Sequence, residues 1–180
     1  FRRVLFRSLI EKVARSMAPV LVLGDPADPA TDLGPVIDAD AKTALEEHVA
    51  RLESEATILH QLSAPVGSSL HFGPVLAEVP APDFLTREVF GPILHIYRYK
   101  ADELEQVAER LAARGYGLTL GVHSRLESFA ARIRALVPAG NCYVNRSIIG
   151  AVVGVQPFGG EGLSGTGPKA GGPHALLRFA

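Results

Sequence analysis

The chain has 180 residues, of which 47% are apolar and 21% are charged, enough for one domain with a sizeable core. Lys and Arg total 18 against 19 Asp and Glu, so no net field draws the chain to nucleic acid or to an anionic membrane surface. The lone cysteine, Cys142, excludes an internal disulfide and a multi-cysteine zinc site and fits a reducing compartment, and no apolar run is as long as a membrane span.

The first third of the chain predicts two helices and two short strands. Apolar residues recur at helical spacing near the start, at Leu9, Ile10, Val13 and Met17, and Pro19 ends that helix. The apolar run 20–23 predicts a strand closed by turn residues. Helical spacing from 38 to about 55 predicts a long amphipathic helix capped by Asp38 or Asp40, followed by a strand over 57–59.

The rest of the chain alternates between segments with the sequence pattern of strands and segments with the apolar spacing of helices. Strands are predicted over 74–79, 93–99, 118–123 and 141–145, and helices over 101–113 and 126–136. This alternation indicates an α/β fold with a largely parallel sheet and flanking helices, in one domain without an internal linker. Ligands bind beyond the carboxyl ends of strands in such sheets, so chemistry is expected in the loop after Asn145.

A glycine-rich run from Gly150 to His174 begins in that loop, and it predicts bare backbone amides that a ligand can approach. Residues 160–165 satisfy the pattern G-x-G-x-x-G, but no strand leads into them and no helix follows, so a simple loop is favoured over a dinucleotide fingerprint. A P-loop is also rejected, because Pro168 precedes Lys169 and no Ser or Thr follows that lysine.

The remaining candidates for chemistry have plain structural alternatives. Cys142 is a possible nucleophile, but it lies inside a predicted strand with no His or Lys nearby in sequence, which favours a core residue. The six histidines show no metal-ligand spacing, so no metal site is predicted. Glu88 and Phe90 are presented together before the turn at 91–92, although a salt-bridged loop residue is the simpler interpretation of Glu88.

Three segments together resemble signature regions of the aldehyde dehydrogenase superfamily. They are Glu-Val-Phe-Gly-Pro at 88–92, Tyr-Val-Asn-Arg at 143–146, and Pro-Phe-Gly-Gly at 157–160 with Ser-Gly at 164–165. The longer match over 150–174 is most similar to the glutamate semialdehyde (pyrroline carboxylate) dehydrogenase module of the bifunctional proline utilisation A flavoproteins. The resemblance runs from about Arg3 to the last residue. It identifies residues 1–180 as the C-terminal part of an aldehyde dehydrogenase catalytic domain.

The resemblance implies oxidation of an aldehyde to a carboxylic acid through a thiohemiacetal on a cysteine, with hydride passed to a nicotinamide cofactor. In this alignment Arg3 to Phe6 follow the catalytic cysteine, so we expect that cysteine upstream of Phe1. The general-base glutamate, the oxyanion-hole asparagine and most of the dinucleotide-binding domain are expected upstream too. We therefore expect no catalytic residue in this chain, and no activity from it alone.

The resemblance also implies roles for five residues. Glu88 accepts hydrogen bonds from the nicotinamide ribose hydroxyls, and Phe90 packs near the nicotinamide. The backbone amides of Gly150 and Ala151 anchor the α-carboxylate of glutamate semialdehyde. Phe158 packs on the aliphatic chain of the substrate. Many relatives have Ser where this chain has Ala151.

The implied cofactor is NAD, and FAD in an upstream domain of a longer parent stays open. The implied partner is a small-molecule aldehyde, not nucleic acid. The longer parent protein is expected to be cytoplasmic and homo-oligomeric. Peripheral association of that parent with the membrane, through regions outside the chain, stays open. Two alternatives remain: an aldehyde dehydrogenase of another substrate class, and a non-catalytic binding or oligomerisation module.

Overall fold

The computed structural model describes residues 10, 12, 16, 20–65, 67, 69–152, 155–156, 158–165 and 175–178. The predicted first helix over 9–17 lies largely outside these residues, as does the end of the glycine-rich run at 166–174. The chain divides into two compact units, 1–98 and 99–180. The assignment of the whole chain to part of one catalytic domain stays a prediction.

The first unit is built around helix α1 (Ala39–Glu55). Asp38 caps it, because its Oδ1 accepts a hydrogen bond from the Ala41 amide at 2.7 Å. One face of α1 is buried, at Leu45, His48, Val49 and Leu52. The prediction of a helix from 38 to 55 is confirmed, with Asp38 rather than Asp40 as its cap.

Helix α1 packs on a three-stranded sheet of β1 (Thr57–Gln61), β2 (Val75–Glu78) and β3 (Ile93–Ile96), in that order. Strands β1 and β2 are antiparallel, and β2 and β3 are parallel. The core between helix and sheet consists of apolar side chains: Leu45, Val49, Leu52, Phe72, Val75, Ala77, Val79 and Phe84.

The predicted strand over 20–23 is wrong. Only an isolated bridge between Leu23 and Leu33 forms there. The Asp32 carboxylate accepts a hydrogen bond from the Val22 amide at 2.9 Å, and Asp25 accepts one from the Ala27 amide at 2.8 Å. Aspartate side chains satisfy the backbone locally here, so the segment turns instead of joining a sheet.

The described part of the second unit contains two α-helices, α2 (Leu104–Ala112) and α3 (Glu127–Leu136), which pack against each other. Short 3₁₀ turns lie at Ala101–Glu103 and Ala175–Arg178. Strands β5 (Thr119–Val122) and β6 (Asn141–Val144) pair in parallel, and the two-residue strands β4 (Tyr116–Gly117) and β7 (Glu161–Gly162) pair antiparallel.

The α/β class is confirmed. The described sheets add antiparallel pairings, β1 with β2 and β4 with β7, to the parallel pairings expected from the alternation of elements. Among the described residues, no helix has both the length and the apolar composition needed to cross a bilayer. The same residues contain no cluster of three or more His, Cys, Asp or Glu side chains able to hold a metal ion.

Candidate functional site

In the first unit, the loop over 84–92 is tied to α1 at both of its ends. At its start, Phe84 is buried under the Arg51 guanidinium, whose carbon lies 4.1 Å from the ring centroid. At its end, Gly91 lies so close to Leu45 that an added Cβ would come within 2.5 Å of the leucine Cδ2. The two ends of the loop are therefore held in place by α1, and its middle extends between them.

Glu88 and Phe90 point outward from this loop, because Val89 between them packs against the core. Phe90 is 86% exposed, an unusual state for an aromatic ring. Among the described residues, the Glu88 carboxylate has no ion pair or hydrogen bond. The salt-bridged interpretation of Glu88 therefore has no support within the described part of the chain, and its oxygens can accept from a ligand.

The loop borders a cleft of about 1000 Å³, whose other wall is formed by residues 33–37 and by Ala41, Ala44 and Leu45 of α1. Most of this lining is apolar, and Glu88 is its acidic side chain. A free carboxylate beside an exposed ring and an apolar wall suits a ligand with a sugar diol and a flat heterocycle. A nicotinamide nucleoside has both parts, so these residues fit that cofactor.

In the second unit, Asn145 fixes the point at which the chain leaves β6. It is the one non-glycine residue of the described part with a positive φ, 56°. Its amide donates to the Val122 carbonyl, its Oδ1 accepts from the Ser124 amide, and its Nδ2 donates to the Ser124 carbonyl, each at 2.9 Å. These hydrogen bonds hold the carboxyl ends of the parallel strands β5 and β6 together. Our sequence reasoning assigned Asn145 no role, although Asn is the residue type that best tolerates this conformation.

In the loop that follows, few backbone amides have a hydrogen-bond acceptor among the described residues, and those of 146–148 have none. The Ile149 amide donates to Ser147 Oγ at 3.2 Å, and the Val152 amide donates to Gln156 Oε1 at 2.8 Å. Between them, the amides of Gly150 and Ala151 have no hydrogen-bond acceptor among the described residues. Gly150 is exposed with φ of 70°, and nothing lies within 4 Å of an added Cβ. Two N–H groups in sequence can bind an anion such as a carboxylate.

Further along the glycine-rich run, the described residues 158–165 contact strand β4 of the second unit. Phe158 is 44% exposed and is available to an apolar ligand. Beyond it, β7 pairs with β4, and Ser164 Oγ accepts a hydrogen bond from the Gly117 amide at 3.0 Å. A Cβ on Gly140 would overlap the carbonyl oxygen of Gly159. This half of the run therefore has a structural role, because it holds residues 158–165 against β4; it is called the clasp below.

Of the five predicted site residues, the structure brings Glu88 and Phe90 together on one loop of the first unit. Gly150, Ala151 and Phe158 belong to the second unit, the first two adjacent in one loop. Cys142 lies within β6, partly buried and opposite Leu120 of β5, as a structural residue would.

Sequence reasoning missed a histidine pair beneath the 84–92 loop. His48 of α1, 6% exposed, and His95 of β3 face each other with their Nε2 atoms 2.8 Å apart. Burial, and then the charges of Arg51 and Arg87, lower the pKa of His48. Burial, and then the charge of His48, lower the pKa of His95 to about 4. The two residues are 47 positions apart, so no local pattern signals the pair.

Known proteins of similar sequence and structure provide an independent comparison. The sequence model of the aldehyde dehydrogenase family matches residues 2–180. The Bifunctional protein PutA of Klebsiella aerogenes is 47% identical over 164 residues, which is 87% of this chain and 12% of that protein.

Two crystal structures extend the comparison. A variant of Bradyrhizobium japonicum Proline Utilization A (PutA) matches with a TM-score of 0.90 and 52% identity, covering 97% of this chain and 18% of that one. A variant of Thermus thermophilus 1-pyrroline-5-carboxylate dehydrogenase matches with a TM-score of 0.72 and 35% identity, covering 84% of this chain and 29% of that one. The chain thus spans less than a third of each relative.

Proposed function

The chain belongs to the aldehyde dehydrogenase family, and on that premise we propose that it is part of an NAD-dependent glutamate semialdehyde dehydrogenase that yields glutamate in proline catabolism. The observation that carries the substrate class is the pair of adjacent amides at Gly150 and Ala151, which have no acceptor among the described residues. A substrate with a carboxylate at one end and an aldehyde at the other needs such an anchor at a distance from the reacting carbon. The names of the relatives support the same choice.

The cofactor half of the proposal rests on Glu88 and Phe90. The exposed Glu88 carboxylate accepts hydrogen bonds from the ribose hydroxyls, and the exposed Phe90 ring packs near the nicotinamide. Bound NAD would accept the hydride that leaves the aldehyde carbon. The free carboxylate, the exposed ring and the apolar cleft beside them support this assignment.

The substrate half rests on Gly150, Ala151 and Phe158. The two amides donate to the α-carboxylate, and the open space around Gly150 lets that group approach the backbone. The half-exposed Phe158 ring covers the aliphatic chain. None of the five residues acts on the reacting carbon, so all five bind and orient.

The proposal extends to the protein that would contain this chain. Residues 1–180 are then the C-terminal part of its catalytic domain, and the chain alone gives no turnover with glutamate semialdehyde and NAD. A cytoplasmic homo-oligomer with an FAD domain elsewhere in the protein is part of the proposal, and the similarity to PutA proteins supports it.

A chimaera tests the proposal. This chain replaces the matching segment of Bradyrhizobium japonicum Proline Utilization A, and kcat/KM is measured with glutamate semialdehyde and with hexanal, a neutral aldehyde. We expect NAD-dependent oxidation with a clear preference for glutamate semialdehyde. Equal kcat/KM for both aldehydes would favour an aldehyde dehydrogenase of another substrate class. A folded chimaera without NAD-dependent activity would refute the proposal and favour a non-catalytic module.

A further inference from the structure

We propose that the hydrogen bond between His48 and His95 is a positioning element for the 84–92 loop, which it holds in the conformation that presents Glu88 and Phe90 to the cofactor. This inference rests on the proposed function of those two residues. The histidines touch neither the substrate nor the cofactor in this account. They act through the loop.

The geometry places the pair between the two attachment points of the loop. Leu45, His48 and Arg51 follow one another at three-residue spacing on the same face of α1. Leu45 meets Gly91 at the end of the loop, and Arg51 covers Phe84 at its start. His48 lies between them and also meets the Phe84 ring edge, with centroids 6.4 Å apart.

The partner, His95, belongs to the strand into which the loop leads. The loop ends at Pro92, whose carbonyl accepts a hydrogen bond from the Val75 amide at 3.0 Å, and β3 begins at the next residue. The His48–His95 bond therefore joins α1 directly to the strand that receives the loop. A change in the spacing of α1 and β3 would move the loop's end relative to its start.

The loop benefits from such a tie because its contact with the helix is incomplete, although Leu85 and Val89 pack against the core. A cavity of about 220 Å³ separates α1 from the loop, lined by Glu47, His48 and Arg51 of the helix and by 85–87 and Val89 of the loop. Close packing normally fixes a loop, and an open space of this size reduces the contacts between the loop and α1. The 2.8 Å hydrogen bond is the directional contact that remains beside it.

The charges around the pair favour its neutral state. Arg51 and Arg87 both disfavour a positive His48, and Glu47 is the carboxylate on the same cavity. When both imidazoles are neutral, or when only one of them is protonated, one Nε2 can donate the hydrogen bond and the other can accept it. With two added protons, two N–H donors face each other and the bond is lost. Because burial lowers the pKa of both histidines, the doubly protonated state is not populated at neutral pH.

Amide hydrogen exchange at the two ends of the loop tests the positioning directly, because the Phe84 amide donates to the Ala81 carbonyl, the Ile93 amide to the Gly91 carbonyl and the Val75 amide to the Pro92 carbonyl. Exchange of these three amides in the 180-residue chain is called loop exchange below. His48→Leu removes the bond, and because a net hydrogen bond contributes about 0.5–1.5 kcal/mol, we expect loop exchange to become about 2- to 12-fold faster. His48→Gln can still reach His95 and should restore most of the protection. His60→Leu is the matched control. His60 lies on β1 of the same unit, and its Nε2 is buried with no hydrogen-bond partner among the described residues.

The chimaera supplies the functional readout. His48→Leu should raise KM for NAD by the same factor of about 2–12 and leave kcat within about twofold, because the lost bond loosens cofactor binding. On acidification, the protection of the same amides in the unsubstituted chain, expressed relative to the intrinsic exchange rate at each pH, should fall through about pH 4, where His95 takes up its proton. The variant, which has no bond to lose, should not show that step.

Three results would overturn the inference: unchanged loop exchange in His48→Leu, equal acceleration across the first unit in both His48→Leu and His60→Leu, or no rescue by His48→Gln. If His48→Leu does not fold, His48→Asn, too short to reach His95, takes its place under the same criteria. An inactive unsubstituted chimaera would instead count against the proposed function. Loop exchange in the chain would still decide the positioning role.

Discussion

Glycine serves different purposes in two parts of the glycine-rich segment, the loop around Gly150 and the stretch 159–165. Around Gly150 the backbone is open, with φ of 70° and no atom within 4 Å of an added Cβ. Around 159–165 the backbone is crowded, and a Cβ on Gly140 would overlap the Gly159 carbonyl oxygen. In the first half glycine exposes amides to a ligand, and in the second it lets two chain segments touch.

The difference shows that glycine density alone does not mark a binding site. The pattern G-x-G-x-x-G at 160–165 lies in the crowded half, where the amides of 163–165 donate to backbone carbonyls. Gly150 and Ala151, whose amides have no acceptor among the described residues, lie in the open half before the pattern begins. Four substitutions test this division, in order of expected effect.

Gly140→Ala should have the largest effect, because its Cβ has no room against the rigid Gly159 backbone. Overpacking against backbone costs about 1–3 kcal/mol or more, so we expect a loss at or above the upper end of that range. Chemical denaturation followed by circular dichroism measures the free energy of unfolding. A loss below about 1 kcal/mol would show that the second half is no more crowded than the first.

Ser164→Ala should come next, because it leaves the amide of the buried Gly117 without its acceptor. An unsatisfied buried donor costs about 1–3 kcal/mol. The same denaturation experiment measures it, with Ser54→Ala as control, since Ser54 Oγ only donates to the exposed Arg51 carbonyl. Equal stability of both variants would remove Ser164 from the clasp.

Sequence predicted most reliably those elements whose causes are local. Helix α1 was predicted at nearly its observed bounds, because its cap at Asp38 and its apolar face lie within the segment itself. The run 20–23 was misjudged, because Asp32, ten positions after Val22, satisfies a backbone amide that a strand would have used. Strands β4 and β7 have two residues each and exist only through pairing across 40 or more positions, which no local period reports.

The candidate site follows the same rule. Glu88 and Phe90 could be chosen because they precede a turn together, and their resemblance to a family signature named a role for them. The packing that aims them could not be read from sequence, since Leu45 and Arg51 reach the loop from a distant helix. The His48–His95 pair depends on a register between α1 and β3 that only the fold creates.

Gly150→Ala should destabilise the chain by only about 1–2 kcal/mol, the cost of a left-handed conformation for a residue with a Cβ. In the chimaera its effect on KM for glutamate semialdehyde should exceed its effect on KM for NAD, because the anchor amides shift. Gly150→Asn is the matched control, since Asn tolerates positive φ. If both variants raise KM equally, a side chain obstructs the carboxylate, and backbone conformation is not the cause.

Ala151→Ser should have the smallest effect, and a favourable one. The half-buried Ala151 has an amide with no acceptor among the described residues, and a serine there adds a hydroxyl that can donate to the same carboxylate. One added hydrogen bond to a charged group is worth about 1.5–3 kcal/mol at most, and less where water competes, so KM for glutamate semialdehyde should fall about two- to fivefold. KM for hexanal should not change, because that aldehyde has no carboxylate to bind. A parallel fall in both KM values would mean that the hydroxyl acts on the loop itself, and the open half of the segment would then be a structural element like the crowded one.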